Sequence, residues 1–247
     1  MQNKKYIKII SSVLVALTIF MFSVVFATDE TTYVWSNQSK SITKQTSANL
    51  NTTETTANTQ NDLKLESGGA ILIEQHSGQV LYEHNMHAKL RPASVTKVMS
   101  ILLIMEAVDS GKIALTDKVP CTEDAAAMGG SQIWLDVREE LTVDEMLKAI
   151  CVVSANDCTV AMANYLCGSQ EAFVAKMNEK AKELGMNDTT FKNCHGIDED
   201  GHVTSPYDIA LMSRELLNNH PNITKYTTIY MDSLRDGKSS LVNTNKL

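Results

Sequence analysis

The apolar and polar positions divide the chain into three stretches. Ile9 to Phe26 is a nearly continuous apolar run. Residues 28 to about 65 are rich in Thr, Asn, Ser and Gln, with few aliphatics. Such a stretch cannot bury enough surface to offset its chain entropy, so it reads as a flexible linker. Order is expected from about Gly68. Ala70 to Glu74 and Val80 to Glu83 are short apolar strands either side of His76-Ser77-Gly78-Gln79, a β-hairpin pattern. Beyond it the periodicity turns helical. Ser94 to Val108 is apolar on nearly every face, as in a buried helix. Thr142 with Glu145 forms a capping-box pattern that opens a helix running into Cys151 and Val153. A further helix is expected over Asp157 to Leu166, and another over Glu171 to Leu184, ended by Gly185. Ser205-Pro206 opens a last one, which stops before His220-Pro221. Lys225 to Met231 and Ser240 to Asn243 are the remaining strand candidates. Two strands alone make a poor sheet, so this second group is expected to complete the first.

Composition narrows the setting. The 247 residues are 43% hydrophobic and carry a net charge of −7, within the range of globular proteins. There is no basic stripe to neutralise phosphates, which argues against nucleic acid as a partner. Lys4, Lys5 and Lys8 precede the apolar run, and Val25-Phe26-Ala27 offers a cleavage site, so residues 1–27 read as a secretory signal peptide. The run also approaches the length of a membrane span, which leaves an uncleaved anchor open and limits membrane contact to this segment. Either way the remainder, 66–247, is expected as one domain outside the cytoplasmic membrane. Cys121, Cys151, Cys158, Cys167 and Cys194 are odd in number and widely spaced. They suggest buried small hydrophobes rather than a disulfide framework or a zinc site.

Two short patterns carry chemistry. Ser94-Val95-Thr96-Lys97 places a hydroxyl and an amine on one face at the start of an apolar helix. Serine needs an adjacent base, and lysine becomes one when burial disfavours its charge. The same residues also fit a helix N-cap and a lysine that reaches to solvent. Ser154-Ala155-Asn156 falls between two expected helices, where a hydroxyl can relay a proton and an amide can bind a peptide. Ser154 with Asp157 equally fits a helix cap. Both spacings recur as Ser41/Lys44 and Ser47/Asn49 in the polar linker, where no fold holds them.

The two patterns in this order resemble the penicillin-recognising serine enzymes. Leu90 to Lys97, Gly129-Gly130-Ser131, Asn193-Cys194-His195-Gly196, Ser205-Pro206-Tyr207-Asp208 and Asn243 to Leu247 are similar to stretches of the low-molecular-mass D-alanyl-D-alanine carboxypeptidases. The resemblance runs from about Gly69 to Leu247. It implies an α+β, β-lactamase-like transpeptidase fold, an antiparallel sheet with a helical subdomain, the sheet being incomplete in this chain. It implies removal of the terminal D-alanine from peptidoglycan pentapeptides. Ser94 would be the nucleophile, Lys97 its base, Ser154 a proton relay and Asn156 the residue that binds substrate amide. β-Lactams would acylate Ser94, the backbone N–H of Ser94 would supply half of an oxyanion hole, and no cofactor or metal is implied.

The sequence departs from the family in having no Lys-Thr-Gly. Lys238-Ser239-Ser240 lacks the glycine and precedes Asn243-Thr244-Asn245, whereas the family motif follows that segment. The resemblance therefore implies a chain cut short at its carboxyl end, with impaired turnover. Two other readings stand beside this one: a class A β-lactamase-like hydrolase and a non-catalytic peptidoglycan-binding module. A metallopeptidase has little behind it, since the six histidines form no HExxH and Asp198-Glu199-Asp200-Gly201 is too short for a calcium loop.

Overall fold

A computed structural model describes Leu63, residues 65–243 and Asn245. The expected export signal, most of the linker with both decoy patterns, and three residues of the Asn243–Leu247 stretch lie outside the described residues. The described elements alternate short hairpins with helices. They are β1 (Ala70–Ile73), β2 (Val80–His84), α1 (Lys97–Asp109), β3 (Lys118–Pro120), α2 (Glu123–Ala126), β4 (Glu140–Thr142), α3 (Val143–Val153), α4 (Asn156–Cys167), α5 (Gln170–Glu183), α6 (Pro206–Asn219), α7 (Thr224–Thr227), β5 (Met231–Leu234) and β6 (Ser239–Val242). Among the described residues, no helix is long and apolar enough to cross a membrane.

The core forms around α1. Met99, Leu102, Ile104 and Met105 are at most 1% exposed, because α4, α5 and α6 each pack against this helix. An all-round apolar helix has to be enclosed in this way, and its sequence pattern anticipated it. The first turn is tighter than expected: Ala93–Thr96 is a 3-10 turn, and the α-helix begins at Lys97. Helix ends follow their local chemistry. Thr142 and Glu145 make the reciprocal capping box that opens α3, and Ser205 caps α6, whose first residue is Pro206. Each such cap contributes about 1 kcal/mol by satisfying otherwise unpaired N–H groups.

The strands depart most from expectation. β1 and β2 pair antiparallel with an irregularity at Leu72/Ile73, and the hairpin sits on α6, where Arg214 and Asn218 donate to Gln75 O. The last strands do not extend it. β5 pairs only with β6, so the described strands form three separate two-stranded sheets. Lys225 to Tyr230 is not a strand; only Met231 of the expected segment lies in β5. Thr224–Thr227 is a helical turn that buries Tyr226, whose hydroxyl donates to Asp144 Oδ1 at 2.7 Å. Docking of one aromatic on α3 overrides the strand preference of the segment. The β3–β4 pair was not anticipated. Its strands are three residues long and separated by a long excursion, so no turn signal marks them.

Candidate active site

The segment carrying Ser94 enters α1 through a strained turn. Ala93 has φ +46°, and Ser94 follows it, exposed at the surface. Lys97, three residues on, is 3% exposed. Its Nζ lies 3.3 Å from Ser94 Oγ and donates to the His195 carbonyl at 2.7 Å. The solvent-reaching alternative is therefore excluded for Lys97, and Ser94 makes no side-chain cap. Burial lowers the lysine pKa from 10.5 to about 8. The thiol of Cys194 is the group that favours charge on Lys97, yet burial pushes that thiol up to about 12. Near neutral pH it carries no charge to offer. A substantial neutral fraction of Lys97 can accept the Ser94 proton while its own N–H stays on the His195 carbonyl.

The loop 193–196 closes over this pair. Ser100 sits one turn after Lys97 and donates to the Cys194 carbonyl at 2.6 Å. Lys97 and Ser100 thus hold two successive carbonyls from one face of α1. Asn193 folds the loop by accepting from Gly196 N at 2.7 Å and donating to Ile197 O at 2.9 Å. Gly196 has φ +89°, and a Cβ there would stand 1.9 Å from Ala93 O. Only glycine allows the loop to touch the backbone of the turn that carries Ser94. On its other side the turn is held by His202. Its Nδ1 accepts from Lys192 N at 3.0 Å, which leaves Nε2–H to donate to Thr96 Oγ1 at 2.7 Å. Burial keeps both His202 and His195 neutral, the latter down to about 4.

Ser154 and Asn156 occupy the tight link between α3 and α4. Ser154 ends α3 in the left-handed region at φ 59°, and Ala155 rather than Ser154 is the N-cap of α4. The capping alternative therefore fails here too. Ser154 Oγ is the one buried side-chain polar atom among the described residues with no hydrogen-bond partner. It is bonded neither to Ser94 nor to Lys97. Asn156 is 5% exposed; its Nδ2 donates to Gly129 O at 2.8 Å and its N–H to Ser131 O at 2.7 Å. Gly130, at φ +77°, is where the loop presses closest: a Cβ would lie 2.9 Å from Asn156 Nδ2. The structure thus joins Ser94 to Lys97 and sets Asn156 against the loop 129–131. It places Ser154 Oγ in the interior with no partner among the described residues.

Sequence reasoning named Gly129–Ser131 and Asn193–Gly196 only as similar stretches. It missed that their backbone carbonyls hold Asn156 and Lys97, and it missed Ser100, His202 and Thr96. A lone serine one turn after Lys97 on an otherwise apolar face was the available signal for Ser100. The cysteines are all free thiols: Cys121, Cys158 and Cys194 are buried, Cys151 and Cys167 partly so. Among the described residues, no group of three His, Cys, Asp or Glu is placed to hold a metal ion.

Comparison with known proteins converges on one family. Residues 25–247 match the model of the Peptidase S11 family, described as D-alanyl-D-alanine carboxypeptidase. The chain is 54% identical over 189 residues to D-alanyl-D-alanine carboxypeptidase DacF of Bacillus subtilis, covering 75% of this chain and 48% of the relative. It is 37% identical over 165 residues to DacA of Escherichia coli, covering 64% and 41%. The chain thus spans about half the length, or less, of the curated relatives it matches. Among solved structures, the D-alanyl-D-alanine carboxypeptidase DacD from Francisella tularensis aligns with a TM-score of 0.69 at 29% identity, over 73% of this chain and 44% of that one. Penicillin-binding protein D2 from Listeria monocytogenes, in its ampicillin-bound form, aligns with a TM-score of 0.67 at 28% identity, over 75% of each chain.

Proposed function

This chain belongs to the Peptidase S11 family of D-alanyl-D-alanine carboxypeptidases, and from that premise we propose that it trims the terminal D-alanine from peptidoglycan stem peptides through a serine acyl-enzyme. The observation that carries the reading is the pair of an exposed Ser94 hydroxyl and a buried Lys97 amine 3.3 Å apart, the amine held by a carbonyl and destabilised as a cation. Ser94 Oγ attacks the carbonyl carbon between the two D-alanines as its proton passes to Lys97 Nζ. The C–N bond then breaks. The departing D-alanine amine takes a proton relayed by Ser154, and an ester to Ser94 remains. Water cleaves that ester, releases the shortened peptide and restores the serine hydroxyl. Asn156 binds an amide of the substrate, and the Ser94 N–H supplies half of the oxyanion hole.

A β-lactam enters the same first step, and its opened ring leaves slowly; a relative of this fold is known with ampicillin bound. The 247 residues contain no Lys-Thr-Gly. In the family that segment binds the terminal carboxylate of the substrate and completes the oxyanion hole. On this reading these residues alone acylate and turn over slowly, since one oxyanion donor is worth about 10²–10³ in rate. The domain works outside the cytoplasmic membrane, with residues 1–27 as its export signal. A secreted product beginning at Thr28 supports that location; recovery of the chain from the cytoplasm with Met1 intact sinks it.

The first test is intact-protein mass spectrometry after incubation with benzylpenicillin, beside Ser94→Ala. One drug mass added to the parent alone supports the reading. Rapid loss of that adduct with catalytic drug hydrolysis would favour a β-lactamase instead. No adduct on a folded chain would leave peptidoglycan binding without catalysis.

A further inference from the structure

Trp134 is 77% exposed, while Ile133 and Leu135 on either side are 6% and 4% exposed. Its φ is +55°. A bulky aromatic in the left-handed region is an outlier that persists only where its surroundings impose it. Here four hydrogen bonds do so. The fully buried Asp157 accepts from Ile133 N at 3.0 Å and from Leu135 N at 3.1 Å, both on Oδ2. Arg235 donates to Ile133 O at 3.1 Å and to Trp134 O at 3.4 Å. Glu139 in turn holds that guanidinium with both carboxylate oxygens, at 2.5 and 2.8 Å. The indole is thus held outward by a clamp on both sides of its peptide. The clamp is continuous with the site: Asp157 directly follows Asn156, and the same loop carries Gly129 and Ser131, whose carbonyls bind Asn156.

We infer that Trp134 is a binding platform for the saccharide part of peptidoglycan, its indole face stacking on the C–H face of an amino sugar linked to the stem peptide at Ser94. This rests on the peptidase reading of the Ser94 site. At 77% exposure the indole offers an open face rather than an enclosed one. Its exposed loop neighbours Ser131, Asp136 and Arg138 are polar, with Val137 the one other exposed apolar residue among 129–138. A flat apolar face with a polar rim matches a pyranose ring, which carries C–H bonds on its face and hydroxyl or acetamido groups at its edge. An aromatic with one apolar and one wet side suits such a contact.

The chain holds two tryptophans, Trp35 and Trp134, so Trp35→Phe makes Trp134 the sole indole reporter. In that background Ser94→Ala stops turnover. Indole emission is followed with three probes: the N-acetylglucosaminyl-N-acetylmuramyl pentapeptide, the free pentapeptide and the disaccharide alone. The expected result is an emission shift with the disaccharide-pentapeptide and none with the free pentapeptide. By calorimetry, Trp134→Ala should weaken the disaccharide-pentapeptide roughly three- to tenfold and leave the free pentapeptide unchanged, with Trp134→Phe recovering part of the loss. Equal weakening of both ligands, or an emission shift with free pentapeptide, overturns the sugar assignment in favour of the stem peptide. No dependence on Trp134, or no binding of the disaccharide-pentapeptide at all, overturns it outright. Benzylpenicillin distinguishes the two levels. Failure of the Ser94-containing parent to form an adduct counts against the peptidase reading, whereas parental adduct formation by Trp134→Ala shows that the substitution spares the acylating site.

Discussion

The turn at Ser94–Lys97 and the turn at Ser154–Asn156 are built from similar residues and held in opposite ways. At the first, the reactive groups are wired into the fold. Lys97 is fixed by the His195 carbonyl, Ser100 by the Cys194 carbonyl, and Thr96 by His202. At the second, Asn156 is wired to the loop 129–131, but the Ser154 hydroxyl is buried with no partner among the described residues. Burying an unpaired hydroxyl costs about 1–3 kcal/mol, so a fold selected for stability alone would fill or remove it. The base has to be held in one place and partly uncharged before substrate arrives. A relay hydroxyl has to stay free to change partners as the proton moves. On the proposed mechanism, the difference separates a preorganised group from one whose hydrogen bond is made during the reaction.

The strongest way to break the contrast is to remove the wired amine. Lys97→Met keeps the bulk and loses the base, and benzylpenicillin acylation should fall about 10²–10⁴-fold. Two effects on stability oppose each other: removing a buried lysine with a lowered pKa relieves the fold, while the His195 carbonyl loses its buried donor at a cost of about 1–3 kcal/mol, so the pH dependence rather than the absolute stability is diagnostic. The sign follows from the shift. The folded chain releases this proton near 8, and the unfolded chain near 10.5. The parent therefore gains stability as pH rises through that window, and Lys97→Met lacks this gain. Urea melts of both chains at pH 7.5 and 10 check it. A Lys97→Met chain that acylates at the parental rate would remove Lys97 from the mechanism.

Gly196→Ala attacks the same turn from the loop side. Its Cβ would lie 1.9 Å from Ala93 O and 2.4 Å from Ala93 C, at φ +89°, so the loop or the nucleophile turn has to move. A fall of about a hundredfold in acylation is expected, since small misplacements at a reacting centre cost that much. A loss of about 2–4 kcal/mol in stability should accompany it. Parental acylation with a wild-type melting temperature would mean that the loop does not hold the turn.

The pH profile sharpens the comparison at smaller scale. With Lys97 near 8, its neutral fraction rises about tenfold between pH 7 and pH 9. Acylation should rise with it and then level off. His195 stays neutral above about 4 and adds no limb in this range. A flat profile over those two pH units would mean that the serine proton leaves by another route.

Legibility in the sequence follows the range of the interaction. Thr142 with Glu145, and Ser205 with Pro206, announce helix starts because a cap is satisfied within four residues. The Ser94/Lys97 pair was readable because one helical turn brings the two together. What stayed hidden depends on distant backbone. The carbonyls of Cys194 and His195 carry no side-chain signature, yet they decide where Ser100 and Lys97 point. β3 and β4 are three residues each and exist through mutual pairing. Tyr226 turns an expected strand into a helical turn by reaching Asp144. Trp134 takes a conformation that favours glycine or asparagine, and no local rule assigns it to tryptophan.

The smallest effect is the most direct test of the contrast, because it compares a buried serine hydroxyl with a partner and one without. Ser100→Ala deletes a 2.6 Å hydrogen bond to a buried carbonyl and leaves that carbonyl unpaired, so a loss of about 1–2 kcal/mol is expected. Ser154→Ala deletes a hydroxyl that has no partner. Alanine keeps the Cβ, so the left-handed backbone at φ 59° is no worse served. Its stability should stay within about 0.5 kcal/mol of the parent or rise slightly, since a desolvated polar atom has gone. Denaturant melts of the two variants measure the difference. If Ser154→Ala loses as much as Ser100→Ala, the Ser154 hydroxyl has a bond in solution and the relay is held as firmly as the base. If it loses nothing in stability while acylation by a peptide substrate and by a β-lactam both slow, the hydroxyl serves the leaving nitrogen. Ring opening expels no free amine, but the lactam nitrogen also takes a proton as its C–N bond breaks, so the relay serves both reactions.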